Sequence, residues 1–288
     1  MTMEKKYRCA IRQKQKGIFA LRLRAVGGNL TAAQLQAVSV VAEKYGTGGV
    51  HLTTRQGIEI HHVQGADLDA AQAVLEAAGL KMGAEGNRVR IIIACPGQAS
   101  CRFGSIDTQS VAAKLDERYF RMEMPYKVKF GVTGCPNNCG KAREADIGIM
   151  GTRIPRWAGA DCVGCDACIA FCVADAIRNE KGQYVRDAEK CINCSACAVR
   201  CPKASWQTVS RGYTVLIGGT LGKRPRLGIP LAAHLPTEEQ ALALVDKTLQ
   251  FYKENGRPRE RLGHMLDRLG EDAVKSEIIK NECDTQFA

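Results

Sequence analysis

Two stretches of this chain, CVGCDACIAFC at residues 162–172 and CINCSACAVRCP at residues 191–202, repeat one cysteine spacing. In each stretch two, two and three residues separate successive cysteines. The chain has 14 cysteines, and only Cys9 and Cys283 stand outside spaced sets. Disulfide frameworks are typical of small secreted proteins, but this chain has 288 residues and a charged start, MTMEKKYRC, with no apolar segment behind it. The spacing therefore predicts metal binding instead of disulfide bonds.

The repeated spacing is that of bacterial ferredoxins, in which the fourth cysteine of each run binds the cluster of the other run. On that pattern one [4Fe-4S] cluster takes Cys162, Cys165, Cys168 and Cys201. The other cluster takes Cys191, Cys194, Cys197 and Cys172. The competing interpretation is a pair of zinc knuckles, but these need only two cysteine pairs for each metal. The first run departs from the pattern because Val173 follows Cys172 where proline is usual.

Four further cysteines form a third set outside these runs. Five residues separate Cys95 from Cys101, and three separate Cys135 from Cys139. Four thiolates suffice for a third cubane cluster. The two pairs, with CPNNC at residues 135–139, resemble the sirohaem and [4Fe-4S] site of the sulfite and nitrite reductase family. The resemblance implies that Cys139 bridges the cluster to the sirohaem iron; the alternative is a third isolated cluster without haem.

The resemblance covers nearly the whole chain, in particular to small sulfite reductase subunits that carry an inserted two-cluster module. It implies an anion site in which Arg55, from the motif TTRQ at residues 53–56, and Arg90 act with Lys127 and Lys129, with Arg88 as a substitute for Arg90. It also implies that Arg55 and Gln56 bind the cofactor. A sulfite ion needs several charged donors, and arginine supplies a planar fork where lysine supplies a point charge and a proton. The alternative is that the lysines are ordinary charges on a half-exposed strand.

The pattern of apolar residues predicts an α+β fold. The pattern predicts a strand at residues 18–24 and a helix at residues 31–45. It then predicts two strands near 50–53 and 58–63, a helix from Asp67 to Gly79 and a strand at 89–94. This β-α-β-β-α-β order is ferredoxin-like. Later strands are expected at 126–133, 145–151 and 213–220, and helices at 107–120, 237–254 and, beginning at Pro258, 258–269.

Three domains are expected from this pattern. Residues 1–85 form a ferredoxin-like domain, and residues 86–155 with 207–288 form the sirohaem and [4Fe-4S] domain. Residues 156–206 form an inserted bacterial-ferredoxin module with two [4Fe-4S] clusters.

Composition is that of a globular protein, with 45% hydrophobic and 25% charged residues. It argues against a disordered tail, a collagen-like fibre and a membrane protein. The formal net charge of the chain is +11. Three anionic clusters and a sirohaem with eight carboxylates would together carry about −14 when ionised, which is enough to offset this charge. The basic excess is therefore assigned to cofactors and substrate, and no nucleic-acid partner is expected.

The resemblance implies six-electron reduction of sulfite to sulfide, with electrons passing through the two inserted clusters. Nitrite reduction to ammonia at the same site and a non-catalytic electron-transfer subunit are the alternatives. The chain has no G-x-G-x-x-G nucleotide fingerprint. Electrons are therefore expected from a flavin and iron–sulfur partner subunit or a soluble ferredoxin, in a cytoplasmic oligomer or hetero-complex.

Overall fold

A computed structural model describes residues 10–280 of the chain, so Cys9 and Cys283 lie outside the described residues. The chain forms two compact units, each of which gathers segments that are distant in sequence. Among the described residues, the first unit comprises residues 10–93, Ala112–Phe130 and Arg257–Arg261. The second unit comprises Ala94–Val111, Gly131–Gly256 and residues 262–280.

The first unit contains an antiparallel sheet with two helices. Its elements are β1 (Ala10–Arg12), β2 (Ile18–Arg24), α1 (Ala32–Tyr45), β3 (Val50–Leu52), β4 (Ile58–Gln64), α2 (Leu68–Ala77) and β5 (Lys81–Met82). The strand order is β1-β2-β4-β3, and β5 also pairs with β2. Leu21, Leu23, Ile60, Val41 and Leu75 are almost fully buried in one core. The predicted strand at residues 18–24 is confirmed, and both predicted helices form.

Local signals explain where α1 begins and ends. The Thr31 hydroxyl accepts a hydrogen bond from the Gln34 N–H, and the Gln34 side chain accepts one from the Thr31 N–H, which forms a capping box. Gly46 ends the helix, since its N–H bonds to the Ala42 carbonyl and a Cβ there would crowd His61.

The predicted strand at residues 89–94 is wrong in its extent and in its sheet. Only β6 (Ile93–Ala94) is a strand, and it belongs to the second sheet. Lys81–Met82 occupies the edge of β2 instead. Val89 makes a single bridge, to Val128. An apolar run indicates burial, but it does not show which sheet the segment joins.

The second sheet has the order β12-β11-β8-β7-β6. Its other strands are β7 (Phe130–Thr133), β8 (Ile147–Trp157), β11 (Trp206–Ile217) and β12 (Ile229–Leu235). Strands β8 and β11 pair antiparallel from Ile147 opposite Ile217 to Trp157 opposite Trp206. They extend beyond the predicted strands at 145–151 and 213–220. The predicted strand at 126–133 is regular only from Phe130, and β12 was not predicted.

The cysteine-rich segment leaves and rejoins this sheet at the paired ends of β8 and β11. It contains α4 (Ala167–Ala170), a hairpin of β9 (Ile177–Glu180) and β10 (Gln183–Arg186), and α5 (Ala196–Arg200). A small core joins both halves of the segment, with Cys168, Cys197, Tyr184 and Trp206 buried in it. That residues 156–206 form a separate inserted module stays a prediction.

Helix α3 (Thr108–Tyr119) begins after Asp107, whose carboxylate accepts hydrogen bonds from Gln109 and Ser110. Three helices close the described chain: α6 (Glu238–Asn255), α7 (Leu262–Leu269) and α8 (Glu271–Lys280). The prediction that a helix begins at Pro258 is wrong, because the helix begins at Leu262. Residues 257–260 form a turn in which the Glu260 carboxylate accepts a hydrogen bond from the Arg257 N–H. Within residues 10–280 no helix is long and apolar enough to cross a membrane.

Candidate active site and cluster-binding cysteines

The first unit holds a cavity of about 290 Å³, called here the basic pocket. The four basic residues that the sequence singled out all line it. Its lining is Arg22, Thr53, Thr54, Arg55, Ala84, Arg90, Ile91, Lys127 and Lys129. Five basic side chains and no acidic one are in this described lining. Such a concentration of positive charge in a concave site favours an anionic ligand.

Arg55 is positioned by the tight turn between β3 and β4. The Thr53 hydroxyl accepts hydrogen bonds from the N–H groups of Gly57 (3.0 Å) and Arg55 (3.3 Å). The Arg55 guanidinium then donates to the carbonyls of Ile91 at 2.8 Å and Phe130 at 3.3 Å. These two backbone carbonyls therefore hold the Arg55 guanidinium in place without a ligand.

Gln56 follows Arg55 but is not part of the pocket lining. It has a left-handed backbone conformation, with φ of 57°. Its side chain lies against Gly28, where an added Cβ would come within 3.1 Å of the Gln56 Cδ. Cofactor binding by Gln56 stays a prediction.

Arg90, and not its substitute Arg88, faces the basic pocket. The Arg90 guanidinium donates to the carbonyls of Ala84 at 2.7 Å and Gly86 at 2.9 Å. Arg88 instead forms an ion pair with Glu123 at 2.8 Å. The structure therefore distinguishes Arg90 from Arg88 as the pocket residue, which their positions in the sequence alone do not.

Lys127 and Lys129 are half-buried on either side of the fully buried Val128. This is the alternation that the sequence predicts, although the segment is held by single hydrogen bonds and is not a regular strand. Val128 accepts from the Arg90 N–H at 2.9 Å and donates to the Arg88 carbonyl at 3.2 Å. Both lysines consequently reach the same pocket as Arg90.

Arg22 also lines the basic pocket, although the sequence motifs do not identify it as a site residue. Its guanidinium donates to Glu59 at 2.7 Å. Burial raises the pKa of Glu59, but hydrogen bonds from His61 and Arg22 outweigh it, and the pKa lies below its ordinary value. Glu59 therefore stays ionised and offsets one of the five positive charges. The alternation of IFALRLR, which places Arg22 on the polar side of β2, is the signal that could have found it.

In the second unit, Cys95, Cys101, Cys135 and Cys139 come together. Burial raises the pKa of Cys135, and the charges of Cys101, Cys95 and Cys139 raise it further. Cys95 follows β6 and Cys135 closely follows β7, and the Cys95 N–H bonds to the Val132 carbonyl at 3.1 Å. The neighbouring strands thus bring together cysteines that are forty residues apart in the chain.

Close packing of the backbone beside this set leaves no room for a side chain at Gly140. A Cβ on Gly140 would overlap the Val132 carbonyl, and 3.1 Å would separate it from the Cys95 nitrogen. We expect Gly140→Ala to destabilise the protein by about 2–3 kcal/mol. Thermal denaturation of anaerobic protein measures this as a lowered midpoint, with Gly49→Ala, where an added Cβ meets nothing within 4 Å, as the matched control. Equal midpoints for the two variants would contradict the packing argument.

Cysteines of the two ferredoxin-like runs lie near one another, and the predicted crossed ligand sets stay a prediction. Burial raises the pKa of Cys197 to about 12, and the charges of Cys194, Cys191 and Cys172 add to it. The pKa of Cys194 is also raised, by burial first and then by Cys191 and Cys172. Cys172 of the first run therefore lies with the second run. Burial raises the pKa of Cys168, and Cys162 raises it further. Cys201 packs in the small core that contains Cys168, but so do Cys172 and Cys197.

The donor groups around these cysteines fit iron–sulfur clusters. Backbone N–H groups donate to sulfur from Gly134 to Cys95 (3.1 Å), Ala176 to Cys172 (3.2 Å) and Ser205 to Cys201 (3.3 Å). For Cys201, burial raises the pKa, but hydrogen bonds from backbone N–H groups outweigh it, so the pKa lies below its ordinary value. The thiolate is the form that binds metal. Residues 10–280 contain no three His, Cys, Asp or Glu side chains close enough to hold a single metal ion.

The sequence comparisons agree with this arrangement. Residues 85–287 match the nitrite and sulphite reductase 4Fe-4S domain, and residues 11–78 match the nitrite/sulfite reductase ferredoxin-like half domain. The chain belongs to the nitrite and sulphite reductase family. Members of this family are oxidoreductases with a 4Fe-4S domain, and the mixed α+β fold with its ferredoxin-like half domain is confirmed.

Individual relatives support the family assignment. One subunit of the anaerobic sulfite reductase of Salmonella typhimurium is 30% identical, over 93% of this chain and 85% of the relative. Coenzyme F420-dependent sulfite reductase of Methanocaldococcus jannaschii is also 30% identical, but the chain spans only 43% of its length. The crystal structure of dissimilatory sulfite reductase I shares the fold, with a TM-score of 0.77 and 22% identity over 91% of this chain and 69% of that one.

Proposed function

We propose that this chain is the catalytic sirohaem and [4Fe-4S] subunit of a sulfite reductase, and that it reduces sulfite to sulfide. One hydrogensulfite ion, six electrons and six protons give one hydrosulfide ion and three water molecules. The observation that carries the proposal is the basic pocket, where Arg55, Arg90, Lys127 and Lys129 meet in a member of the nitrite and sulphite reductase family.

Arg55 and Arg90 are proposed to bind the anion. Each guanidinium is already anchored on two backbone carbonyls, so little conformational entropy is lost when a ligand binds. Fixed positive charge also stabilises negative charge that develops on the oxygen atoms during reduction. The two arginines thus have the roles of orientation and charge stabilisation.

Lys127 and Lys129 are proposed to supply protons. Six protons are consumed in each turnover, and an ammonium group at a half-buried position can donate directly or through water. Val128 between them is fully buried, which anchors the backbone of both lysines. Their short separation along the chain lets both serve one ligand.

The proposed cofactors are a sirohaem and three [4Fe-4S] clusters. Cys95, Cys101, Cys135 and Cys139 would hold one cluster, and Cys139, Arg55 and Gln56 are the residues that would bind sirohaem. Cys162, Cys165, Cys168 and Cys201 would hold one ferredoxin-type cluster, and Cys191, Cys194, Cys197 and Cys172 the other. When bound, these groups supply the iron that coordinates sulfite and the path for electrons.

The electrons are proposed to enter through residues 156–206, as an inserted two-cluster module, from a partner protein. A flavin and iron–sulfur subunit or a soluble ferredoxin would have the required chemistry, which places the chain in a hetero-complex or in transient contact with a donor. Thiolate-bound clusters suit the reducing cytoplasm.

Nitrite is the alternative substrate, because the family includes reductases of both anions. Anaerobic kinetics with a reduced viologen dye, following sulfide and ammonia as products, test the proposal. We expect kcat/KM to be higher for sulfite, with six electrons consumed for each sulfide released. A higher value for nitrite would favour the alternative, and no turnover of either anion by cofactor-loaded protein would favour a non-catalytic electron-transfer subunit.

A further inference from the structure

Arg153, in β8, is a buried cation that the proposed reaction does not use. Its exposed fraction is 9%. Its guanidinium donates to the Gly104 carbonyl, and its Nε is buried without a hydrogen-bond partner in the described chain. Among residues 10–280 it has no carboxylate partner either. Arginine does not give up its proton in proteins, and a buried charge without a counter-charge is costly. Negative charge must therefore be supplied at this place.

Cysteines of the third set lie near this cation. Burial lowers the pKa of Arg153, as does the charge of Arg211, whereas Cys135 and Cys101 raise it. Arg211 lies directly opposite Arg153 on β11. Gly104, whose carbonyl accepts from the guanidinium, donates its own N–H to the Cys101 carbonyl at 2.8 Å. The cation thus faces the cysteines proposed to hold the sirohaem-coupled cluster.

The backbone of Arg153 makes a second contact, to the other proposed cluster loop. Its N–H donates to the Asn193 carbonyl at 2.8 Å, and Asn193 lies between Cys191 and Cys194. This bond involves no side-chain atom, so replacing the arginine side chain leaves it in place. One residue therefore contacts two of the proposed cluster-binding loops, with its charge directed to only one of them.

We propose that Arg153 is the buried counter-charge of the cluster held by Cys95, Cys101, Cys135 and Cys139, and that it raises the reduction potential of that cluster. The inference rests on the proposed function, because it needs a cluster on those cysteines. Reduction adds one electron from the donor protein, breaks no bond and leaves the arginine protonated. A fixed positive charge in a buried site favours the more negative, reduced cluster. The coupled cluster thereby becomes a better electron acceptor.

An anaerobic redox titration followed by electron paramagnetic resonance tests this in the holoprotein. In Arg153→Gln, whose amide can still donate to Gly104, we expect the oxidised-to-reduced ratio of one cluster to rise about tenfold at the wild-type midpoint, a shift of about 59 mV for one electron. The other two clusters should change less than twofold. Arg156→Gln is the matched control, because Arg156 is an exposed arginine of the same strand.

Arg153→Lys distinguishes charge from packing. It keeps the positive charge, so we expect the oxidised-to-reduced ratio to stay within threefold of wild type. If Arg153→Gln does not assemble, this variant still tests the proposal, because a tenfold shift would contradict it. An unchanged ratio in Arg153→Gln, a tenfold shift in Arg153→Lys or an equal shift in Arg156→Gln would overturn the role of Arg153. Wild-type protein with no iron and no cluster signal would overturn the proposed function, and the inference with it.

Discussion

Replacing Lys127 or Lys129 with methionine is expected to lower kcat for sulfite reduction by about two to four orders of magnitude, the usual contribution of a positioned proton donor. Methionine preserves the length and apolar stem of lysine but removes its charge and its protons. Both lysines line the basic pocket with Arg55 and Arg90, so each variant removes one cation from an otherwise intact site. Steady-state kinetics with a reduced viologen dye measures the loss.

Cofactor content is the necessary companion measurement. Because the lysines are proposed to act on substrate and not to hold a cofactor, iron and sirohaem contents should equal those of wild type. Lys44→Met serves as the control, since Lys44 is an exposed lysine in the last turn of α1, away from the pocket lining. Wild-type turnover in both pocket variants would remove the lysines from the mechanism.

Replacing Cys197 with serine is expected to remove one whole cluster, about four iron atoms from each chain, and to abolish turnover with the physiological donor. The side chain is almost fully buried in the same small core as Trp206, so the variant leaves a buried corner of the cluster without its thiolate. Iron analysis and electron paramagnetic resonance of anaerobically purified protein measure the loss.

The crossed ligand assignment makes this prediction sharper. Cys172 lies in the first run but is proposed to bind the same cluster as Cys191, Cys194 and Cys197, and its charge acts on Cys197. Cys172→Ser should therefore lose the same cluster as Cys197→Ser, and the double variant should lose no more iron than either single one. Cys168→Ser combined with Cys197→Ser should lose about eight iron atoms, because it affects both clusters. Additive losses in the Cys172 and Cys197 pair would show that each run binds its own metal.

Much of the site could be predicted because the chemistry lies in short motifs. Cysteine spacing is a local property, and so is the alternation that separates Lys127 and Lys129 from Val128. The crossed ligand assignment of Cys172 rests on the same spacing and stays a prediction. The sequence could not choose between Arg88 and Arg90, because that choice depends on where Glu123 lies after folding.

What could not be predicted depends on contacts between distant segments. Arg22 lies on a strand that carries no motif, and only the folded chain brings it to Arg55 and Arg90. The counter-charge of Arg153 comes from Cys135 and Cys101, which are far from it in sequence. The strand expected at 89–94 was misplaced for a related reason, since an apolar run predicts burial and not its partner strand.

The visible absorption spectrum of protein purified without oxygen from a sirohaem-making host tests the central claim most directly. We predict a Soret band with a long-wavelength isobacteriochlorin band, over broad iron–sulfur absorption, and a shift of the haem bands when sulfite is added to the reduced protein. A broad iron–sulfur shoulder without any haem band would contradict a sirohaem site and identify the chain as an electron-transfer subunit.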